Sequence, residues 1–333
     1  MDVMAFISSM LAAGIRMGIP IAFAGIGVVI AEKSGVLNIG CEGEMLTGSF
    51  VTFVVVYFTH SYFLGILAGG AGGLLTAMII SFLSITRKQD QSVVGIVVNI
   101  FAAGFTSFIY RVIFGTSGSG LSIDVMSTIK IPVLGDIPFI GNIFFNQTIL
   151  YYVLIVVAVV CWFVLMKLKA GLQLRAIGEN PRAAQACGIN VILYRHIAVM
   201  LAGFLSGIGG AYLVVATMGS FVEEMSAGRG FIAMAVSTLC HWNPILALIA
   251  SFVFGIAQGL QMRMQAYGIN IPYQFLLMLP YVLTIVSIHS GSWNVKHSHN
   301  VISSIVHRVG PEDIDYFLAD GTEVIRKGEF LFE

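Results

Sequence analysis

The chain has 333 residues, 57% of them hydrophobic and only 10% charged, with a mean hydropathy of +0.92. Those values exclude an ordinary water-soluble domain of this length and define a polytopic membrane protein. A formal net charge of +0 gives no reason to expect nucleic acid as a partner, so the basic residues inform only through where they fall. Cys41, Cys161, Cys187 and Cys240 show no CxxC pairing and read as free thiols. The apolar start of the chain lacks a basic leader region and reads as a retained helix.

In chain order, the first apolar run, residues 3–31, holds Arg16, Pro20 and the small-xxx-small pair Gly14 and Gly18. About 20 residues suffice to cross a bilayer, so one tilted or kinked span is expected, with Arg16 snorkelling to the headgroups. Residues 32–46, EKSGVLNIGCEGEML, are too polar and glycine-rich for a lipid-facing helix, yet they lead directly into the apolar 47–58. Irregular backbone at that depth needs a lining of protein or a cavity. Asn38 and Glu42, four apart, would share one face of a helix starting near Asn38. The alternative is a cytoplasmic turn in which Glu32 and Lys33 are merely solvated.

Residues 63–85 carry Gly65, Gly69, Gly70, Gly72 and Gly73, a smooth face for close helix contact. Arg87 and Lys88 place the end of that span in the cytoplasm. The next span, 93–114, shows a small and polar stripe of Ser92, Gly95, Asn99, Ala103 and Thr106, which is expected to turn inward. Asn99 then bonds a neighbouring helix or meets cargo. A long polar connection, 115–147, belongs on the outer face, and 148–166 crosses back.

Residues 167–195, KLKAGLQLRAIGENPRAAQACGINVILYR, hold Lys167, Lys169, Arg175, Arg182 and Arg195 between two apolar runs, which places the loop in the cytoplasm. Within it Asn180 is placed to cap a short helix opening at Pro181, and Gly188 to end it. Such a helix suits docking against a soluble partner. Residues 196–217 cross again through Gly203, Gly207, Gly209 and Gly210, and 218–229 read as an outer loop with Glu223 and Glu224 in water. The stretch 231–240 is too short to cross alone, so a re-entrant segment and a tightly turned hairpin are both open. In the span 245–262 and just beyond it, Gln258, Gln261 and Gln265 form a polar stripe, facing either a lumen or another helix. A last span is expected over 273–289.

The expected architecture is an all-α transmembrane bundle of about eight to ten helices with a short capped helix on the cytoplasmic side. A membrane domain over 1–289 is followed by a polar cytoplasmic tail over 290–333, with seven acidic residues against four basic ones. Asn38, Glu42, Asn99 and Gln258 are the candidates to line a central passage. No Walker A pattern, HExxH or nucleophile elbow occurs, so no catalytic residue is assigned. His297 and His299 are too few to argue for a metal.

The segments SGVLNIGCEGEMLTGSF, LRAIGENPRAAQACGIN, SAGRGFIAMAVSTLCHWNP and LPYVLTI resemble those of permease subunits of bacterial ABC importers for simple sugars and purine nucleosides. That is the ribose and branched-chain amino-acid permease superfamily, and the four motifs fall in its order. The resemblance implies an inner-membrane, multi-pass subunit working by alternating access. Its partners would be an ABC ATPase, a second homologous permease or a second copy of the chain, and an extracytoplasmic substrate-binding lipoprotein. No cofactor is implied on this chain, since ATP and Mg would sit on the ATPase. Carried over from the family, the resemblance implies that the loop with Glu179, Asn180, Pro181, Ala183, Ala184 and Gly188 supplies a cytoplasmic coupling helix that enters a cleft of the ATPase. The form NIGCEGEM is closer to nucleoside than to ribose permeases, whereas Glu44 stands where the family carries an apolar residue. The rival class is a secondary transporter driven by an ion gradient, which ordinarily carries an ionisable residue in mid-membrane. Among the residues read so far, Glu42 is the candidate for that role.

Overall fold

The structure is a computed structural model that describes residues 3–115, 121–130 and 140–266. Its helices, in order, are α1 (Val3–Lys33), α2 (Cys41–Thr59), α3 (Tyr62–Ser81), α4 (Gln91–Phe114), α5 (Ile140–Phe144), α6 (Ile149–Lys167), α7 (Lys169–Glu179), α8 (Pro181–Ala186), α9 (Val191–Tyr212), α10 (Arg229–Leu239) and α11 (Pro244–Ala266). Single π-helical turns, Phe82–Thr86 and Leu213–Met218, extend α3 and α9. The strands β1 (Ile129–Lys130) and β2 (Asn146–Gln147) pair antiparallel. Seven helices among the described residues are long and apolar enough to cross a membrane. They fit an all-α bundle of the expected kind; the span expected at 273–289 and the tail from 290 lie outside the described residues.

The bundle is built around α1. Ile19, Ala22, Phe23, Ile26 and Val29 are fully buried, and so are Ile21, Ala24 and Val28 on the other sides of the same helix. A helix that is apolar all round belongs in the middle of a protein. Its glycines let three neighbours approach. A methyl on Gly18 would stand 2.7 Å from the Ser251 carbonyl oxygen of α11, and one on Gly27 2.7 Å from that of Ala202 in α9, while Gly25 faces Ala233 of α10. The small-xxx-small pair of α1 therefore does pack helix to helix, against Gly255 and Gly259 of α11.

A second seam joins α2, α3 and α9. A methyl on Gly48 would lie 2.5 Å from the Gly207 Cα and its carbonyl oxygen, and one on Gly73 2.7 Å from the same Cα. Backbones this close exchange dispersion over the whole seam, which in lipid replaces the hydrophobic effect as the force between helices. The opposite faces are plain: Ile96, Val97, Ile100, Phe105 and Phe108 of α4, and Val153, Val156, Val160 and Phe163 of α6, are exposed. These large apolar side chains are what acyl chains solvate best.

On the outer side Arg16 has protein partners: its Nε donates to Gln147 Oε1 at 3.2 Å and its Nη2 to the Asn146 carbonyl at 3.4 Å, so it holds β2 against α1. Burial of Gln147, which has no exposed surface, makes that bond cheaper than a free guanidinium in an apolar shell. The stretch after α9 is not simply a solvated loop. Glu223 meets Arg111 at the surface, 2.8 Å apart with both half exposed, as its position in water implies. From there the chain turns inward: Phe221 packs edge-on against Phe50, and Gly228 reaches Glu42. It thus descends beside the first half of α2, and α10 completes the descent to the end of α1, where Trp242 Nε1 donates to Glu32 at 2.7 Å. The short stretch 231–240 is the inner part of a discontinuous crossing.

Candidate functional site

Two places carry the polar chemistry of the described residues, one inside the bundle and one on its cytoplasmic side. The inner one is built from residues 34–44. After α1, Gly35 takes a left-handed backbone (φ +80°) that lets the chain turn back, and residues 34–40 then climb without helix to α2. The height follows from α4 alongside. Gln91, the first residue of α4, accepts from the Leu37 amide at 2.8 Å, whereas Asn99 accepts from the Gly43 amide at 2.8 Å. Eight helical residues at about 1.5 Å each raise Gly43 roughly 12 Å above Leu37. The first turn of α2, with Glu42 and Glu44 in it, therefore starts well inside the bilayer.

Most polar groups at that depth have a partner, the Asn38 Oδ1 being an exception. Asn99 caps α2 from a distance, because its Oδ1 takes the Gly43 amide while its Nδ2 donates to the Ile39 carbonyl at 2.9 Å. Gly40, the residue in the N-cap position, has no side chain to do so. Glu42 grips the start of α10: its two oxygens accept the Gly228 and Gly230 amides at 2.7 and 2.6 Å. A carboxylate there also faces the positive end of the helix dipole. Glycines on both sides of Arg229 are needed for this approach, since a methyl on Gly230 would stand 2.5 Å from the Glu42 amide nitrogen. Asn38 donates to both oxygens of Glu44 at 3.0 Å, and both residues are fully buried. Ser206 of α9 lies at their side, 3.3 Å from Cys41 Sγ, with its hydroxyl donating to the Ala202 carbonyl. Arg229 is buried one residue from the Glu42 contact, donating to the Met225 and Ser226 carbonyls.

Of the four residues expected along a passage, Asn38, Glu42 and Asn99 come together here. Gln258 does not: it lies on α11 between Gly255 and Gly259, which pack on Gly14 and Gly18 in the outer half of α1. The helical spacing of Asn38 and Glu42 is also not realised, because Asn38 precedes the helix and turns to Glu44 instead. Ionisable groups in mid-membrane number more than Glu42 alone, with Glu44 and Arg229 beside it. Sequence reasoning misses both. The glycines flanking Arg229 and the two-residue spacing of the acids are the available signals.

On the cytoplasmic side, α8 opens as the capping residues require. Asn180 Oδ1 accepts the Ala183 amide at 3.0 Å, Pro181 holds the first position, and Gly188 ends the turn at φ +80°. Glu179, Ala183 and Gly188 are exposed and Pro181 is half-buried. Ala184 corrects the expectation that it touches a partner, because it is only 4% exposed and faces the permease. One residue is enough to turn a helical side chain by about 100°. Ahead of α8 lies an amphipathic helix not foreseen in the sequence, α7, which buries Gly171, Leu174 and Ile177. Among five basic residues this three-residue spacing is easily overlooked.

A bundle of membrane-crossing helices with buried polar groups at depth, a discontinuous crossing and a capped helix facing the cytoplasm is the build of a transport permease. Residues 10–288 match the family described as the permease component of the branched-chain amino acid transport system, and the chain belongs to it. It is similar to the guanosine ABC transporter permease protein NupQ of Bacillus subtilis, 36% identical over 86% of this chain and 93% of that one. The nucleoside ABC transporter permease protein NupC of Lactococcus lactis is 38% identical over 80% and 87% of the two chains. A second guanosine permease protein of B. subtilis, NupP, is 26% identical over 72% and 70%. The chain is a multi-pass permease subunit of an ABC importer in the cytoplasmic membrane.

Proposed function

We propose that the cargo is a purine nucleoside, handed over by an extracytoplasmic binding lipoprotein and passed inward by alternating access. The observation that carries this reading is end-to-end similarity to the nucleoside permeases NupQ and NupC. Polar groups inside the bundle that are largely bonded to one another, with Glu42 and Asn99 only partly buried, suit weak, transient contact with a polar, uncharged cargo. A uniformly tight site would trap it. ATP-driven uptake of labelled guanosine by vesicles holding the assembled complex is the expected result. Uptake of ribose in its place, or of neither, would overturn the cargo.

In this reading a separate ABC ATPase holds ATP and Mg and docks on α8. The partner permease is a homologue of the NupP type, since NupQ and NupP are both guanosine permease proteins of B. subtilis and this chain is closer to NupQ. The outward residues Arg182 and Ala183 then form the contact. Ala183→Arg should insert and fold normally, at a cost within about 0.5 kcal/mol as for other exposed sites, yet fail to pull down the ATPase. Ala184→Arg, by contrast, should lose folded protein, because a guanidinium cannot be seated in its buried place. Wild-type pull-down by the Ala183→Arg protein would place the docking surface elsewhere.

A further inference from the structure

We propose that residues 33–42 are a stiff link that carries movement of the cytoplasmic helices to the start of α10, and that Arg195 is the positioning residue that ties its lower end. The inference rests on the importer reading, because an ATPase must move α7 and α8.

The lower end is fixed from two elements. Arg195 of α9 donates from Nε to the Ser34 carbonyl at 3.1 Å. The Gly178 Cα of α7 lies against Gly35, and any side chain at Gly178 would run into the Lys33 carbonyl. Tyr194, next to Arg195, donates through its hydroxyl to Gln173 of α7, so α7 and α9 are themselves joined there. The Ser34 hydroxyl closes the turn on the Ala31 carbonyl at 2.6 Å. Higher up, Gln91 and Asn99 hold Leu37, Ile39 and Gly43 along α4. At the upper end Glu42 grips the amides of Gly228 and Gly230. A non-helical segment would ordinarily yield under load. This one has its backbone bonded from α9 and α4 and its Glu42 side chain bonded to the start of α10 within ten residues, and Val36 and Asn38 are buried in between. A displacement of α7 therefore reaches α10 as a shift of the segment rather than as slack within it. Packed, hydrogen-bonded elements transmit displacement in this way.

The test is the number of guanosine molecules taken up per ATP hydrolysed, in vesicles holding the whole importer. Only assembled complex contributes to either rate, so a folding defect lowers both and leaves the ratio unchanged. Arg195→Ala should lower the ratio about tenfold, the equivalent of one charge-assisted hydrogen bond, with ATP hydrolysis maintained. Arg195→Lys, which keeps a donor for the Ser34 carbonyl, should recover most of it. Gly35→Ala disturbs the same turn by forcing a side chain onto a left-handed backbone, with its Cβ 3.2 Å from Arg195 Nη2, and should lower the ratio several-fold. A wild-type ratio in both Arg195→Ala and Gly35→Ala overturns the link. Absence of ATP-driven uptake by the wild-type complex counts instead against the importer reading itself.

Discussion

Gly48→Leu should abolish the folded permease. A methyl alone at this position would lie 2.5 Å from the Gly207 backbone, and no rotamer of a longer side chain moves its Cβ. Relief requires α2 and α9 to part, and with them α3, whose Gly69 and Gly73 occupy the same seam. The loss should reach or exceed about 3 kcal/mol, the upper end for overpacked sites, because backbone yields less than side chain. Recovery of monodisperse protein in detergent, and its thermal unfolding, measure the effect. Gly104→Leu is the matched control. A Cβ added at Gly104 would meet nothing within 4 Å, and the residue faces outward on α4, so the change should stay within about 0.5 kcal/mol. Equal tolerance at both positions would contradict the close seam.

Glu42→Ala is expected to have the second largest effect. It leaves the amides of Gly228 and Gly230 without their acceptors in a place that water reaches poorly. Two bonds to a charged group, together with the cost of orphaned donors, amount to roughly 3 kcal/mol. Because those amides start α10, the damage should appear as a loosened inner half-crossing and lost uptake, with α8 and ATPase pull-down untouched. Glu42→Gln keeps one acceptor but turns an N–H toward the other amide, so it should fall between wild type and alanine. Hydrogen exchange of the α10 amides reports the loosening directly. Protection and uptake at wild-type levels in Glu42→Ala would show that the carboxylate does not hold the helix.

The presence of ionisable residues at depth does not by itself separate an importer subunit from an ion-driven carrier. On sequence grounds Glu42 is the candidate for such a residue, the feature on which that distinction turns. In the fold it is engaged in holding α10, with Glu44 bonded to Asn38 and Arg229 close by. These acids are thus committed to structure in this arrangement. The family relationship decides the class.

What the sequence determined by itself was whatever depends on local spacing and composition. Apolar runs of crossing length, the placement of Arg87 and of the basic stretch 167–195, and the Asn180, Pro181 and Gly188 signals of α8 all act within a few residues of where they are written. Glycine clusters announced close packing for the same reason, since a missing side chain is a local fact. Partners across the fold were not legible. Arg16 meets Gln147 from 131 positions away, and Glu42 meets Gly230 from 188, distances over which no periodicity speaks. The side of α8 that Ala184 faces, the height of Glu42 in the membrane and the splitting of the crossing before α10 were likewise decided by tertiary structure. Each depends on which backbone amides lie within reach of a side chain, and only the packing of α1, α4, α9 and α10 around residues 34–44 brings those amides there.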